Sequence, residues 1–366
     1  MLLNELKLKN FRNIKEATLN ASEKVNIIYG ENAQGKTNIL EAIWLFSGNK
    51  SFRGAKDQNL INTEEEFARL EMKFYESKRN QTASIIFAEK KTVKLNEVKL
   101  ESIKKLNGKI IAVCFSPNEL SIIKGGPIFR RKFLDEAIIQ MSNTYSNYVS
   151  VYDRLLKQRN ALLKDVKYST KNYNTLEVWD EKLVNAGSKI AYQRKEFLKE
   201  ILNKTKVIYY DLSDEKEKSQ IKIKSDYLDS SMNEKEIKES FAKKLKENLQ
   251  NDIEFGNTGV GPHRDDFDFL IDEKNAKDFG SQGQQRSGAI SLKLAEAELL
   301  YEKTGKKPLI LLDDVLSELD IKRQNYILNK ISERQIFLTC CELTDQLKKH
   351  ANNIYKIESG KICTYS

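Results

Sequence analysis

The segment GENAQGKT, at residues 30–37, has the residue types and spacing of a phosphate-binding loop. It fits the pattern G-x-x-x-x-G-K-[ST] at every fixed position. Gly30 and Gly35 would allow the backbone to wrap around a phosphate group. Lys36 would bring positive charge to the phosphate oxygens, and the Thr37 hydroxyl would be placed to ligate Mg²⁺. The segment therefore predicts a nucleotide site with Mg²⁺. We also assign to this site the side-chain amides of Asn32 and Asn38.

The residues on either side of this segment support the interpretation. Val25–Tyr29 has the apolar character of a buried strand. After the loop, Ile39, Leu40 and Ile43 fall on one face of a helix. A strand, a loop and a helix in this order are the structural context that a phosphate-binding loop requires.

A phosphate-binding loop of this kind also needs an acid that orients Mg²⁺ at the end of another buried strand. Residues 309–312 are four consecutive apolar residues, and Asp313 and Asp314 follow them directly. Because ligands of open α/β sheets bind beyond the carboxyl ends of the strands, we predict Asp313 as the acid on the metal side. Asp314 would then polarise the attacking water, so Asp314 and Lys36 are the predicted catalytic residues.

The segment SQGQQR, at residues 281–286, precedes a long amphipathic helix. Ser281 is a good N-cap, and Gly283 would allow a ligand or another backbone to approach closely. These features are compatible with a second anion site at the N-terminus of the helix. An ordinary helix cap with a glutamine-rich first turn would have the same sequence, so the residues alone leave both interpretations open.

The hydrophobic pattern divides the chain into two kinds of structure. Residues 1 to about 120 alternate short strand-like runs with turns and one helix, which is typical of mixed α/β structure. From about Phe129 the apolar residues recur at helical spacing, while residues 211–231 predict a loop or weak hairpin. Strands and helices alternate again from Gly256. We therefore predict an α/β domain at residues 1–128 and 255–366, interrupted by a helical arm at residues 129–254.

Composition limits the class of protein. The chain has 366 residues, of which 40% are hydrophobic, so it can bury a substantial core. Its apolar runs are shorter than the roughly 18 residues of a bilayer span, and we predict a cytoplasmic protein without membrane contact. The net charge of +9 is compatible with nucleic acid binding, although a lysine-rich solvated surface would look the same. The four cysteines lack the spacing of a zinc module.

Together, these segments resemble the head of an ABC-type ATPase. SQGQQR stands where that superfamily has its signature, and SELD at residues 317–320 resembles its D-loop. The resemblance is closest to the RecF family of bacterial DNA-repair ATPases, and it implies an α/β fold in which an ABC-type ATPase head, a mixed sheet with a P-loop, carries an inserted helical arm lobe. Further segments that resemble this family are LKNFRNI (residues 8–14), NELSIIKGGP (118–127), RRKFLD (130–135), LLKQRNALLK (155–164) and GPHRDD (261–266).

The resemblance also implies how the site is assembled. RecF-like proteins bind ATP between the heads of a dimer, so the P-loop of one subunit would face the signature of the other. The signature residues would be Ser281, Gly283 and Gln284. The family further implies ATP-dependent dimerisation on DNA, weak DNA-stimulated hydrolysis, and action with RecO and RecR at single-strand gaps in recombinational repair and replication restart.

Two smaller groups of residues have alternative interpretations. Arg12 and Asn13 would contact the base or the ribose, as they do in similar heads, or they would simply form a turn after the first strand. Lys124, Arg130 and Arg131 flank a Gly-Gly-Pro turn and would contact DNA phosphates, since planar guanidinium donors suit that role. The alternative is that they cap the turn and cover a solvated helix face.

Two other function classes stay open. The first is the nucleotide-binding subunit of an ABC transporter, which the long helical insert disfavours. Such subunits also commonly have a histidine where this chain has Thr339, Cys340 and Cys341. The second is a DNA-bound structural protein for which ATP is an assembly ligand and its turnover is incidental.

Overall fold

The computed structural model describes residues 1–168 and 175–365. By their contacts these residues form two compact units, the head unit (Met1–Glu119 with Ile290–Ser366) and the arm unit (Leu120–Ala289). The strands are β1 (Leu2–Phe11), β2 (Ile14–Asn20), β3 (Val25–Tyr29), β4 (Ala68–Glu76), β5 (Arg79–Phe87), β6 (Thr92–Leu95), β7 (Val98–Leu100), β8 (Ala112–Phe115), β9 (Ser219–Lys224), β10 (Asp266–Ile271), β11 (Lys274–Asn275), β12 (Leu309–Asp313), β13 (Ile336–Cys340), β14 (Asn353–Glu358) and β15 (Lys361–Tyr365). The helices are α1 (Lys36–Leu45), α2 (Leu120–Lys124), α3 (Pro127–Met141), α4 (Asn143–Tyr168), α5 (Leu176–Leu212), α6 (Glu234–Glu247), α7 (Leu249–Phe255), α8 (Ala276–Phe279), α9 (Gln282–Thr304), α10 (Ile321–Ile331) and α11 (Asp345–His350).

The head unit contains an antiparallel sheet in the order β2-β1-β4-β5-β6-β7. Its strands alternate in burial: in β1, Leu6 and Leu8 are buried whereas Lys7 and Lys9 are exposed. This alternation is expected of a sheet with one face on the core and one face in solvent.

The second sheet of the head unit has the order β15-β14-β3-β13-β12-β8. All neighbouring strands are parallel except β14 and β15, which form an antiparallel hairpin. β12 and β13 are buried along their whole length, which explains their continuous apolar sequence. One cluster of buried side chains, among them Phe11, Trp44 and Leu311, joins both sheets and α1. The carboxyl ends of the parallel strands therefore meet at one edge.

The arm unit combines long helices with a small sheet. α5 has 37 residues and packs against α4 and α6, which at 1.5 Å per residue makes it about 55 Å long. The sheet has the order β11-β10-β9 and is antiparallel. No helix in the described residues is long and apolar enough to cross a membrane.

Most of the predicted elements are confirmed, including the strand Val25–Tyr29, which has the predicted bounds. Two predictions differ from the structure. The stretch predicted as a loop or weak hairpin contains β9, which pairs with β10 over six residues because its buried and exposed side chains alternate. Because β10 pairs with β9, residues 255–289 group with the arm unit, although they were predicted to belong with the α/β domain.

Candidate functional site

The predicted phosphate-binding loop connects β3 to α1 in the head unit. Gly30, Ala33 and Gly35 have positive φ angles of 155°, 65° and 114°, which turn the backbone around the loop. A Cβ atom on Gly35 would lie 2.9 Å from Asn13 Oδ1, so the position requires glycine. Gly35 is also the N-cap of α1 and provides no side-chain cap. The amides of Asn38 and Ile39 donate to Gly35 O, whereas those of Lys36 and Thr37, at the start of α1, point toward the loop and would bind an anion.

Lys36 lies inside the loop, with 7% of its surface exposed. Its Nζ donates to Gly30 O at 2.5 Å and to Glu31 O at 2.9 Å. An ammonium group that is bound to two carbonyls of the loop is placed to attract phosphate oxygens.

Thr37 and Asp313 meet at the edge where the parallel strands end. Thr37 Oγ1 donates to Asp313 Oδ1 at 2.8 Å, and Thr339 Oγ1 donates to the same oxygen at 2.9 Å. The parallel register places Asp313 opposite Thr339, which brings both side chains beside the loop. Burial raises the pKa of Asp313 above its ordinary value, while the two hydroxyl hydrogen bonds act in the opposite direction. The two residues predicted to hold Mg²⁺ are therefore in hydrogen-bond contact, and their role as metal ligands stays a prediction.

Asp314 follows in a strained conformation, with a φ angle of 54°. Its N–H donates to Thr339 Oγ1 at 3.0 Å, and Ser317 Oγ donates to its carboxylate at 3.1 Å. A positive φ in a residue other than glycine is uncommon. Asp314 lines the cavity described below, as Asp313 does.

Arg12 and Asn13 occupy the turn between β1 and β2. Arg12 makes two hydrogen bonds to Glu41, of 2.9 and 3.0 Å, and Glu41 is fully buried. Asn13 Nδ2 donates to Ala33 O at 3.0 Å, and its Oδ1 accepts a hydrogen bond of 2.7 Å from Asn38. The turn is therefore joined to the loop, whereas a contact with a base or ribose stays a prediction.

These side chains line a cavity of about 720 Å³ in the head unit, a size typical of small-molecule sites. Its lining includes nine residues of the predicted site, and sequence reasoning missed others. Arg53 adds a cation to those of Lys36 and Arg12, and its Nη1 donates to Asn38 Oδ1 at 2.9 Å. The predicted residues in the lining are Arg12, Asn13, Asn32, Gly35, Lys36, Thr37, Asn38, Asp313 and Asp314, and the missed ones include Arg53, Asn59, Asn62, Glu64 and Thr339.

Cys341 is another residue that the sequence did not single out for this site. Its thiol donates to Asn32 Oδ1 at 3.0 Å and lies 3.5 Å from Lys36 Nζ. It follows β13, the strand between β3 and β12, and the histidine that ABC transporter subunits commonly have near this position was the sequence signal that could have identified it.

The signature segment forms the first turn of α9. Ser281 Oγ accepts from Gln284 N–H at 3.2 Å, and Gln284 Oε1 accepts from Ser281 N–H at 2.8 Å, which together make a reciprocal capping box. Gln284 also donates to Glu217 at 2.8 Å. A Cβ atom on Gly283 would meet only Ser281 Oγ, at 3.9 Å, so the arm unit itself does not require a glycine there.

The predicted DNA-contacting residues lie in different environments of the arm unit. Arg130 is 5% exposed and is paired with Asp266 through two hydrogen bonds, of 2.6 and 2.8 Å. Its Nη1 donates to Gly125 O at 2.9 Å, so its donors are used within the unit and the prediction for Arg130 needs correction. Lys124 is exposed, and Arg131 is partly buried and donates to Asp265 O at 3.0 Å. For these two residues DNA contact stays a prediction.

A P-loop, an acid at the end of another strand of the same sheet and a capped signature helix define an ABC-type ATPase head. The same fold occurs in a crystal structure of an Smc head bound to ScpA, with a TM-score of 0.58, 14% identity, and coverage of 100% of this chain and 98% of that one. A family model described as RecF/RecN/SMC N terminal domain matches residues 2–123.

Full-length relatives define the family more closely. The DNA replication and repair protein RecF of Acetivibrio thermocellus is 40% identical over 369 residues, covering 99% of both chains. That of Clostridium acetobutylicum is 38% identical and covers 100% of both. A solved structure of the recombination mediator protein RecF with ATP has a TM-score of 0.93 and 37% identity, covering 100% of this chain and 98% of that chain. The chain belongs to the RecF family.

Proposed function

We propose that this protein is an ATP-dependent DNA-binding protein that acts in DNA replication and repair. The observation that carries the proposal is the 2.8 Å hydrogen bond between Thr37 and Asp313, 276 residues apart, at the phosphate end of the P-loop. It joins the hydroxyl and the carboxylate that a nucleotide with Mg²⁺ requires. Membership in a family whose relatives are named for replication and repair supports the cellular role.

The residues fit ATP, which when bound supplies the phosphoanhydride bond that hydrolysis cleaves. The loop amides and the first turn of α1 would hold the phosphates, and Lys36 and Arg53 would balance their charge. Asp314, which lines the cavity, would orient a water molecule and accept its proton. The side-chain amides of Asn32 and Asn38 border the same cavity.

The residues also fit Mg²⁺. No three His, Cys, Asp or Glu side chains in the described part of the chain are grouped so as to hold a metal ion. Mg²⁺ usually takes one or two protein ligands and completes its shell with phosphate and water. Thr37 and Asp313 would be the two protein ligands.

The signature would complete the site of a second subunit, and we propose an ATP-dependent homodimer. Gly283 supports this proposal because nothing inside the arm unit accounts for a glycine there, whereas close approach of a partner would. Ser281, exposed at the N-terminus of α9, would face the terminal phosphate held by the partner. Gln284 is the third predicted contact, although its side chain already closes the capping box.

We further propose DNA as the macromolecular ligand, with gapped duplexes as its preferred form. Lys124 and Arg131 are the candidate contacts. One similar solved structure is described as a recombination mediator RecF in the RecFOR pathway, and by family membership RecO and RecR are the proposed protein partners. We also propose that ATP hydrolysis is weak and stimulated by DNA. The proposed site of action is the cytoplasm.

Asp314→Asn tests the ATPase. The amide keeps the shape of the carboxylate but cannot accept a proton, so we expect ATP affinity to be retained and the hydrolysis rate to fall about 100-fold. Asp345→Asn, at an exposed carboxylate of α11, is the control. A normal rate in Asp314→Asn would contradict the role of this residue. A wild type that binds ATP and gapped DNA without measurable hydrolysis would instead favour ATP as an assembly ligand.

A mixture of two variants tests the paired site. Ser281→Arg leaves the P-loop intact, and Lys36→Ala leaves the signature intact, so neither should dimerise alone with ATP. Their mixture should form dimers with one complete site, detected by sedimentation velocity. Ser332→Arg, which adds the same charge at an exposed position after α10, should dimerise normally. Normal dimerisation of Ser281→Arg would show that SQGQQR is only a capped helix start.

A further inference from the structure

The turn between β14 and β15 contacts the P-loop directly. Its two residues, Ser359 and Gly360, have φ angles of 48° and 74°, as a two-residue type I′ hairpin requires. Ser359 N–H donates to Gln34 Oε1 at 2.5 Å, and Gly360 N–H donates to Gln34 O at 3.1 Å. One residue of the loop is therefore bound through its side chain and its main chain by a turn 325 residues away.

The hairpin also makes close backbone contacts at two glycines, one with the loop and one with the β1–β2 turn. β14 runs parallel to β3, with Lys356 opposite Tyr29, so Ile357 lies beside the first residue of the loop. A Cβ atom on Gly30 would be 2.5 Å from Ile357 O. A Cβ atom on Gly360 would be 2.5 Å from Asn13 O. Real Cβ atoms do not approach backbone oxygens this closely, so the hairpin, the loop and the β1–β2 turn are in direct backbone contact.

We propose that the β14–β15 hairpin supports the nucleotide site from outside the cavity and that Gln34 is a positioning residue through which the hairpin orients the P-loop. The inference rests on the proposed ATP binding. A peptide unit is planar and trans, so its C=O and N–H point in opposite directions. Because the Gln34 carbonyl points to Gly360, the N–H of Gly35 points away from the hairpin. The hairpin thus sets the direction of an amide that would bind phosphate.

The other carbonyls of the loop are held in the same way but by different groups. Gly30 O and Glu31 O accept from Lys36 Nζ, and Ala33 O accepts from Asn13 Nδ2. Gln34 is the loop residue whose carbonyl is held by the hairpin. Loss of this contact should therefore misorient one part of the loop while Lys36 and Thr37 keep their positions.

This arrangement predicts an effect on nucleotide affinity and little effect on the chemical step. The hairpin turn does not belong to the residues that line the cavity, and it does not contact Asp314 in the described structure. We therefore expect variants of the contact to raise the Kd and KM for ATP and to leave kcat close to that of the wild type.

Gly360→Ala tests the contact, with Gly305→Ala as a matched control. Both glycines have similar positive φ angles, 74° and 69°, so alanine costs similar backbone strain at both. At Gly305, however, a Cβ atom would meet nothing within 4 Å. We expect the Kd for a fluorescent ATP analogue to rise about 10-fold in Gly360→Ala and to change less than about 2-fold in Gly305→Ala.

Gln34→Met provides a second test that does not strain the turn. Methionine keeps the length of the side chain but cannot accept the hydrogen bond from Ser359. We expect a Kd increase of about 3- to 10-fold with kcat unchanged, and a combined effect with Gly360→Ala that is less than additive.

The outcomes separate this inference from the proposed function. A wild type that does not bind ATP would overturn the proposed function itself. A wild type that binds ATP, with equal Kd values for Gly360→Ala and Gly305→Ala and no change in Gln34→Met, would overturn the role of the hairpin alone. A lower melting temperature without a change in Kd would also contradict it, because it would make the contact merely structural.

Discussion

The nucleotide site of the head unit and the interior of the arm unit both depend on charged residues, but they use them differently. In the head unit, Lys36, Arg53 and Asp314 line a cavity that a ligand can enter. In the arm unit, Arg159 is completely buried and donates to Asp180 at 2.5 Å and to Asp252 at 2.7 Å. The first arrangement leaves charge available to a ligand, and the second neutralises it within the chain.

Three arginines of the arm unit follow this second pattern. Arg194 pairs with Asp135 at 2.8 Å and donates to Pro262 O at 2.6 Å. Arg130 pairs with Asp266, and Arg159 pairs with two carboxylates. Arg130 and Arg159 belong to segments that resemble the family, and so do the partners Asp135 and Asp266, which lie in RRKFLD and GPHRDD. The comparison teaches that an arginine in a family-like segment can be structural. Its burial and pairing decide whether it stabilises the fold or is left to contact a ligand.

The largest effect is expected for Arg159→Met. The change leaves Asp252, which is 1% exposed, without its cationic partner. An unpaired buried charge costs about 3–5 kcal/mol, so urea unfolding should show a loss of this size. Lys157→Met, at an exposed position of α4, should stay within about 0.5 kcal/mol of the wild type. A small loss for Arg159→Met would mean that the arm unit is not held together by this pair.

The second prediction concerns pH. Burial lowers the pKa of His263 to about 4, whereas an unfolded chain protonates histidine near 6.5. The neutral ring therefore favours the folded state at pH 7, and this contribution is lost as the pH falls from about 6.5 toward 4, by about 3 kcal/mol in all. The stability difference between the wild type and His263→Gln should shrink over that range, measured by urea unfolding at several pH values.

His350→Gln, which lies at the exposed end of α11, is the control for this pH series. Burial raises the pKa of the Asp265 carboxyl to about 6. Its protonated form therefore favours the folded state, so its contribution to stability increases as the pH falls below about 6, opposite to that of His263. Asp265 is present in both proteins, so the difference between wild type and His263→Gln reports the histidine. A difference that stays constant from pH 7 to pH 4 would contradict the assignment.

Lys36→Ala should weaken ligand binding and leave stability almost unchanged, whereas the arm-unit variants should lower stability. It removes a charge that holds ligand phosphates, so ATP affinity should fall at least about 100-fold, equivalent to roughly 2.7 kcal/mol. The melting temperature should change little, because the hydrogen bonds of Lys36 go to two carbonyls of its own loop and to the Cys341 thiol. Lys50→Ala, at an exposed position beyond α1, is the control in a fluorescent nucleotide titration. Unchanged affinity would contradict the P-loop assignment.

The smallest effect is expected for DNA binding by Lys124→Ala. Loss of one phosphate contact should reduce the slope of log affinity against log salt by about 0.9 and leave stability unchanged. Arg130→Ala should instead destabilise the arm unit, because it leaves Asp266 without its partner. Fluorescence anisotropy with a gapped duplex, with exposed Lys199→Ala as control, checks the difference. An unchanged salt slope would remove Lys124 from the DNA surface.

Local patterns predicted the elements whose residues are adjacent in the chain. The P-loop, its flanking strand and helix, and the acids after β12 could be located because φ preferences, amphipathic spacing and apolar runs are short-range properties. Arg53 and Cys341 were missed because neither stands in a local pattern that signals a nucleotide. Arg130 was assigned to DNA because its partner, Asp266, is 136 residues away.

The sequence by itself determined the kind of loop, the residues that it offers to phosphate and the family-like segments of the arm. Only the tertiary structure decided which distant groups meet. The strand order β14-β3-β13-β12 brings the Ser359–Gly360 turn, Cys341 and Asp313 to the same loop from far along the chain. Pairing over such separations depends on which strands become neighbours, and burial then decides whether a charge is left for a ligand or matched within the fold.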